Sequence, residues 1–202
     1  MKRWIAVAAA AAALLAAGSG RAGSDAAAVP VPAPAAGEDG SPRALRKAGL
    51  ALLAENEPAR AVYLLRRAAL DGDYPALVAL ERLRRAGGPN APSLADMIAI
   101  ETALAEAGDP VAAWRLVRRH ETGEGVDPSA EEAVRWLKIV ARKENAAYPK
   151  SAEAAFRLCE IYARGEAVPA DETAARGWCA EAARRGHAGA AFALAQMKGV
   201  NG

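Results

Sequence analysis

Aromatic side chains make up only 5% of the 202 residues, and no stretch alternates valine, isoleucine or aromatics with polar residues. Pleated sheets are built from those residue types, so a strand-based fold is excluded and an all-α one is expected. Cysteine and histidine each occur twice, with no H-x-x-x-H or C-x-x-C spacing. Zinc-type sites depend on such spacings, and neither histidine stands in a context that announces a nucleophile and its base. No metal, cofactor or catalytic constellation is therefore expected. A strong excess of one charge is also missing, with 26 basic against 24 acidic residues.

The first apolar stretch, Trp4 to Ala17, has 14 residues, too few for a bilayer span of about 20. It follows Lys2 and Arg3 and leads into small residues, which is the layout of a secretory signal peptide over 1–22, cut after Ala22. Contact with a membrane is then limited to this transient leader, and the location is periplasmic or secreted. Without Lys2, Arg3 and Arg21, 23 basic residues face 24 acidic ones, a net charge of −1. Nucleic acid is thus not an expected partner. Residues 23–42, "GSDAAAVPVPAPAAGEDGSP", read as a disordered Pro/Ala/Gly linker. Gly18, Gly20 and Gly23 spell G-x-G-x-x-G. That motif cradles a pyrophosphate only between a strand and a helix, and here it joins a leader to a linker.

What the chain does contain is itself, several times over. A shift of 42 places Trp114 on Phe156, Leu116 on Leu158, Gly123 on Gly165, Val126 on Val168 and Trp136 on Trp178. A shift of 36 places Leu80 on Leu116, Gly87 on Gly123, Phe156 on Phe192 and Leu158 on Leu194. The six extra residues fall in "KENAAYPKS", 143–151. Ser93, Ser129 and Asp171 share one register, each with a side-chain oxygen able to cap a helix N-terminus. "SLAD" and "SAEE" add the acidic residue of a capping box.

Each unit reads as a helical hairpin. In 111–141, Trp114 and Val117 share one side of a first helix, and Ala133, Trp136, Leu137 and Val140 one side of a second. "TGEGVDP" between them supplies turn glycines and a proline stop. A lone hairpin cannot bury both faces, so the units must stack. Alanines late in the second helices (Ala68, Ala69, Ala105, Ala141, Ala182) let backbones approach closely. The units span about 43–73, 74–108, 109–150 and 151–187, with a capping helix over 188–202.

Residues 109–200 resemble the Sel-one-like repeat, a relative of the tetratricopeptide repeat. Ala154, Leu158, Tyr162, Gly165, Val168, Asp171, Ala175, Trp178, Ala182, Ala183 and Gly186 fall on its pattern. The preceding unit matches through Leu116, Gly123, Gly125, Val126, Ala133, Trp136 and Ala141. Cys159 and Val117 depart from it where glycine is usual, and His120 where tyrosine is usual. Residues 74–108 match weakly, and 43–72 look more like a tetratricopeptide unit through Gly49, Leu52, Ala61 and Ala68. The resemblance implies a right-handed α-solenoid of stacked hairpins, about nine helices in 43–202. It also implies a non-catalytic adaptor that holds a protein or peptide, in envelope assembly or signalling. A structural part of a polysaccharide-export or secretion assembly is the alternative. An envelope hydrolase of the cysteine-rich repeat type is the weaker one, because only one cysteine pair exists.

Cys159 and Cys179 lie in the two helices of one hairpin. Either an exported chain bridges them, or both thiols fill the core separately. His120, on the tyrosine position, is read as packed or half-buried, and His187 as part of a solvated turn. Residues 43–85 carry nine basic and five acidic side chains, and 86–202 carry 14 and 16. Counted from Cys159 as the close-packing position, the inward-facing first-helix residues are Arg82, Arg85, Trp114, Arg118, Glu121, Phe156 and Glu160. Such a mixture of arginine and aromatics suits partner binding. The competing reading is a solvated face whose arginine stems cover alanine.

Overall fold

The computed structural model describes residues 40–199. The leader and nearly all of the linker lie outside the described residues. Within them the chain forms nine α-helices and no strand: α1 Pro42–Ala54, α2 Pro58–Leu70, α3 Tyr74–Ala86, α4 Leu94–Glu106, α5 Pro110–Thr122, α6 Ala130–Val140, α7 Ser151–Arg164, α8 Glu172–Arg184 and α9 Ala188–Gly199. Two compact units divide between Ala107 and Gly108.

Helix starts are written in the side chains. Ser41, Asp73, Ser93, Asp109, Ser129 and Asp171 each accept a first-turn N–H, satisfying donors that have no partner inside the helix. Proline stands in the first turn of α1, α2, α3 and α5, where its missing N–H costs nothing. Pro42, at the end of the linker as read from the sequence, is thus the first residue of α1. Of the two anticipated capping boxes only Ser93–Asp96 closes reciprocally, at 3.0 and 2.9 Å. Glu132 is drawn instead to Arg135 at 3.2 Å.

In the first unit, α1 and α2 pack as a hairpin, α3 packs on α2, and α4 packs on α2 and α3. Gly49 sits where α1 meets α2; a Cβ there would lie 3.0 Å from Leu65 and 3.2 Å from the Ala61 carbonyl. Leu45, Leu65, Leu70, Leu77, Leu80, Met97 and Ile100 fill the core. Two ion pairs tie elements together: Arg46 donates to Asp73 at 2.9 Å, and Arg66 reaches Asp96 at 3.2 Å.

In the second unit each helix packs on the next, from α5 through α9. The α5–α6 and α7–α8 loops are copies. Gly123 and Gly165 end their helices in the left-handed region, at φ 75° and 71°. The Ser129 N–H then donates to the His120 carbonyl, and the Asp171 N–H to the Tyr162 carbonyl, at 3.1 and 2.9 Å. Residues 143–145 form one 3-10 turn, and the Asn145 amide donates to the carbonyls of Ile139 at 2.8 Å and Gly108 at 3.2 Å. Alanine is the commonest residue of this core: Ala112, Ala113, Ala154, Ala155, Ala175 and Ala182 are fully buried beside Leu116, Leu137 and Leu158. Small side chains permit close backbones, so the burial is spread over many small contacts.

Candidate partner-binding groove

A groove of about 310 Å³ runs in the second unit between the α5–α6 hairpin and α7. On α7, Arg157, Glu160, Ile161 and Arg164 follow the spacing i, i+3, i+4, i+7 and so share one face. Glu121, at the end of α5, faces them, and Ala133 and Leu137 of α6 give an apolar floor. Arg157 is the hinge of the charge pattern. It pairs with Glu121, and its guanidinium carbon lies 5.7 Å from the centroid of Trp114. Burial lowers its pKa from the usual arginine value, partly opposed by Glu160. Lys150 approaches the same indole at 5.5 Å. Glu160 pairs with Arg164 at 3.2 Å, and Arg164 reaches Glu166 at 3.6 Å.

The groove thus alternates carboxylates and guanidiniums over an aliphatic floor. That pattern suits a polypeptide, which carries both charge signs and apolar side chains. Its lining has no serine, threonine, cysteine or histidine. Among the described residues no cluster of three or more His, Cys, Asp or Glu is placed to hold a metal. No helix there is long and apolar enough to cross a membrane.

Trp114, Glu121 and Glu160 come together around Arg157. Phe156 does not join them, because it turns toward the α8–α9 turn and stacks on His187 with ring centroids 4.2 Å apart. Arg118 is exposed and does not line the groove. Arg82 and Arg85 are exposed on α3, in the first unit, where Arg85 pairs with Glu81 at 2.8 Å. Arg157 went unread in the sequence: it repeats Arg115 at the 42-residue shift, and nothing in that register points to Glu121, 36 residues before it, as its partner.

His187 is half-buried against Phe156 rather than in a solvated turn. It occupies the turn register where Asp73 and Asp109 cap α3 and α5, and a ring too bulky to cap packs on the nearest aromatic. His120 is half-buried, with Nδ1 3.3 Å from the Asp127 carbonyl. Cys159 and Cys179 form a disulfide linking α7 to α8, with Cα atoms 5.1 Å apart.

Hairpins recurring at 36 or, across the 143–151 insertion, 42 residues, with duplicated loops and a groove on their first helices, define a helical-repeat scaffold protein. The Sel1 repeat pattern matches residues 47–73, 110–145 and 152–187, and the chain belongs to the Sel1 repeat family. Residues 47–73 are thus a Sel1 repeat, not a tetratricopeptide unit, while the stretch holding α3 and α4 is unmatched. No curated protein matches the sequence significantly. Among solved structures, a Sel1 repeat protein from Oxalobacter formigenes is 26% identical, with a TM-score of 0.55 over 78% of this chain and 46% of its own. The c5321 protein, a protective antigen of uropathogenic Escherichia coli strains displaying an SLR fold, is 26% identical, with a TM-score of 0.51 over 78% of this chain and 33% of its own. The chain therefore spans a third to just under half of these relatives. Proteins with Sel1 repeats generally mediate protein–protein interaction and typically act as non-catalytic adaptors.

Proposed function

We propose that this protein is an exported, non-catalytic adaptor that holds a segment of a partner protein in the α5–α7 groove, in envelope assembly or signalling. The observation that carries the reading is the Trp114–Arg157–Glu121 cluster at one end of a groove with an apolar floor. Aromatic and arginine side chains in partly desolvated settings are the residues on which protein interfaces most depend. Export is supported by the basic, apolar and small-residue order of the first 22 residues and by the disulfide, since bridges persist in oxidising compartments. The antigen relative is described as protective, which fits a surface met outside the cytoplasm.

Cell fractionation with N-terminal sequencing of the recovered protein tests export. A leader-free protein outside the cytoplasm is expected, and a full-length cytoplasmic one sinks that half. A photocrosslinking side chain at Ile161, used in living cells, tests the groove. One dominant adduct is expected, lost when Trp114→Ala and Arg157→Glu are combined. An adduct that survives both changes removes this groove from the function.

A further inference from the structure

We propose that the second unit carries a separate docking surface, between α8 and the residues 141–143 that follow α6, for an acidic peptide segment of a partner protein. The starting observation is a glycine without a local reason. Gly177 lies inside α8, where glycine destabilises a helix relative to other residues. It is exposed, and a Cβ there would meet nothing within 4 Å. No close approach requires it.

The same register in α6 holds Arg135, whose guanidinium lies over the Trp136 ring at 4.4 Å. In α8 the missing side chain leaves room beside Trp178, which is half-buried. A groove of about 590 Å³ opens there, floored by alanine and Gly177 and rimmed by Arg142, Lys143, Arg184 and Arg185. Lys143 begins the 143–151 insertion that the hairpin 111–141 has and its neighbours lack, and Arg142 stands just before it.

Glu181 is the one carboxylate lining this groove, and it is occupied. It pairs with Arg184, and with Arg185 at 2.6 Å. Arg185 is spent on structure, donating to the carbonyls of Ala141 at 2.9 Å, Arg142 at 3.3 Å and Ser151 at 3.5 Å. Arg142 and Lys143 are exposed and form no ion pair among the described residues. The side chain of Arg184 is 66% exposed. A positive rim around an apolar slot matches a segment whose carboxylates flank one apolar side chain. The charges would steer the encounter, and the slot beside Trp178 would take the apolar side chain. None of these residues belongs to the α5–α7 groove, so the surface stands whether or not that groove binds anything.

Fluorescence anisotropy on the purified full chain tests the proposal, with the labelled peptide Gly-Asp-Glu-Leu-Glu-Asp-Gly as probe and Gly-Lys-Arg-Leu-Arg-Lys-Gly as its control. Saturable binding of the acidic peptide that weakens with salt is expected, with none for the control. Gly177→Arg should weaken it about tenfold or more by filling the slot, as should Arg142→Glu with Lys143→Glu by reversing the rim. Gly177→Arg places a better helix former where α6 already has arginine, and the paired charge reversal touches only exposed side chains. Trp114→Ala should leave the affinity unchanged. No saturable binding, binding indifferent to both groove variants, or an equal loss in Trp114→Ala overturns the proposal. So does tight binding of heparin or of phosphatidylglycerol vesicles where the acidic peptide shows none.

Discussion

Cys159 and Cys179 occupy the register at which Gly49 and Leu65 meet in the first hairpin, eight or nine residues into their helices. The α5–α6 hairpin puts Val117 and Leu137 there, both buried. One position is thus filled in three ways: by close approach over a glycine, by two aliphatics, and by a covalent bridge. The bridge closes a 20-residue loop in the unfolded chain, which corresponds to about 3 kcal/mol of stabilisation in the chain-entropy description. Replacing both cysteines by serine should lower stability by about that amount in urea unfolding. Cys159→Gly with Cys179→Leu, which restores the pair used by the first hairpin, should lose less. Equal losses in the two variants would show that the bridge and not the packing carries this contact.

At the scale of the helix, charges placed three and four residues apart steady the exposed faces. In α3, Glu81 accepts from Arg84 at 2.9 and 2.8 Å and from Arg85 at 2.8 Å. Those bonds, Arg84's foremost, hold its carboxyl at about 2 instead of the ordinary 4.5. Because the folded value is the depressed one, the stabilisation is present above about 4.5 and is lost as pH falls toward 2. The melting temperature should therefore drop through that window, and Glu81→Gln should flatten the drop. Asp96 and Glu181 are also held below their ordinary values, so part of the acid sensitivity should remain. In Asp96, burial acts upward and is outweighed by bonds from Ser93 and by Arg66; in Glu181 the bond from Arg184 leads. Caps, turn glycines and helix starts were legible in the sequence, because each acts within a few residues of itself. Ser93, Ser129 and Asp171 all cap. The reciprocal box at Ser129 was not legible, since Glu132 had a rival partner in Arg135.

Over the whole molecule, repeats that touch mainly their neighbours make stability local. In the second unit α7 is flanked by α6 and α8 and bonded to α8, whereas α9 packs chiefly on α8. Arg176 of α8 donates to the Met197 carbonyl and is one polar tie on that last helix. Native-state hydrogen exchange should therefore find α9 opening far more readily than α7 and α8. Exchange in α7 as fast as in α9 would show that the order of stacking does not set local stability.

The sequence by itself determined the all-α class, the hairpin period and the helix boundaries. These follow from caps, glycines and apolar spacing that act at short range and repeat. Tertiary structure alone decided that Arg157 would join Glu121 beside Trp114, that Phe156 would leave them for His187, and that Arg185 would bind the end of α6. Those outcomes depend on which side chains of separate helices come within a few ångströms, and periodicity fixes the face of a helix but not the neighbour opposite it.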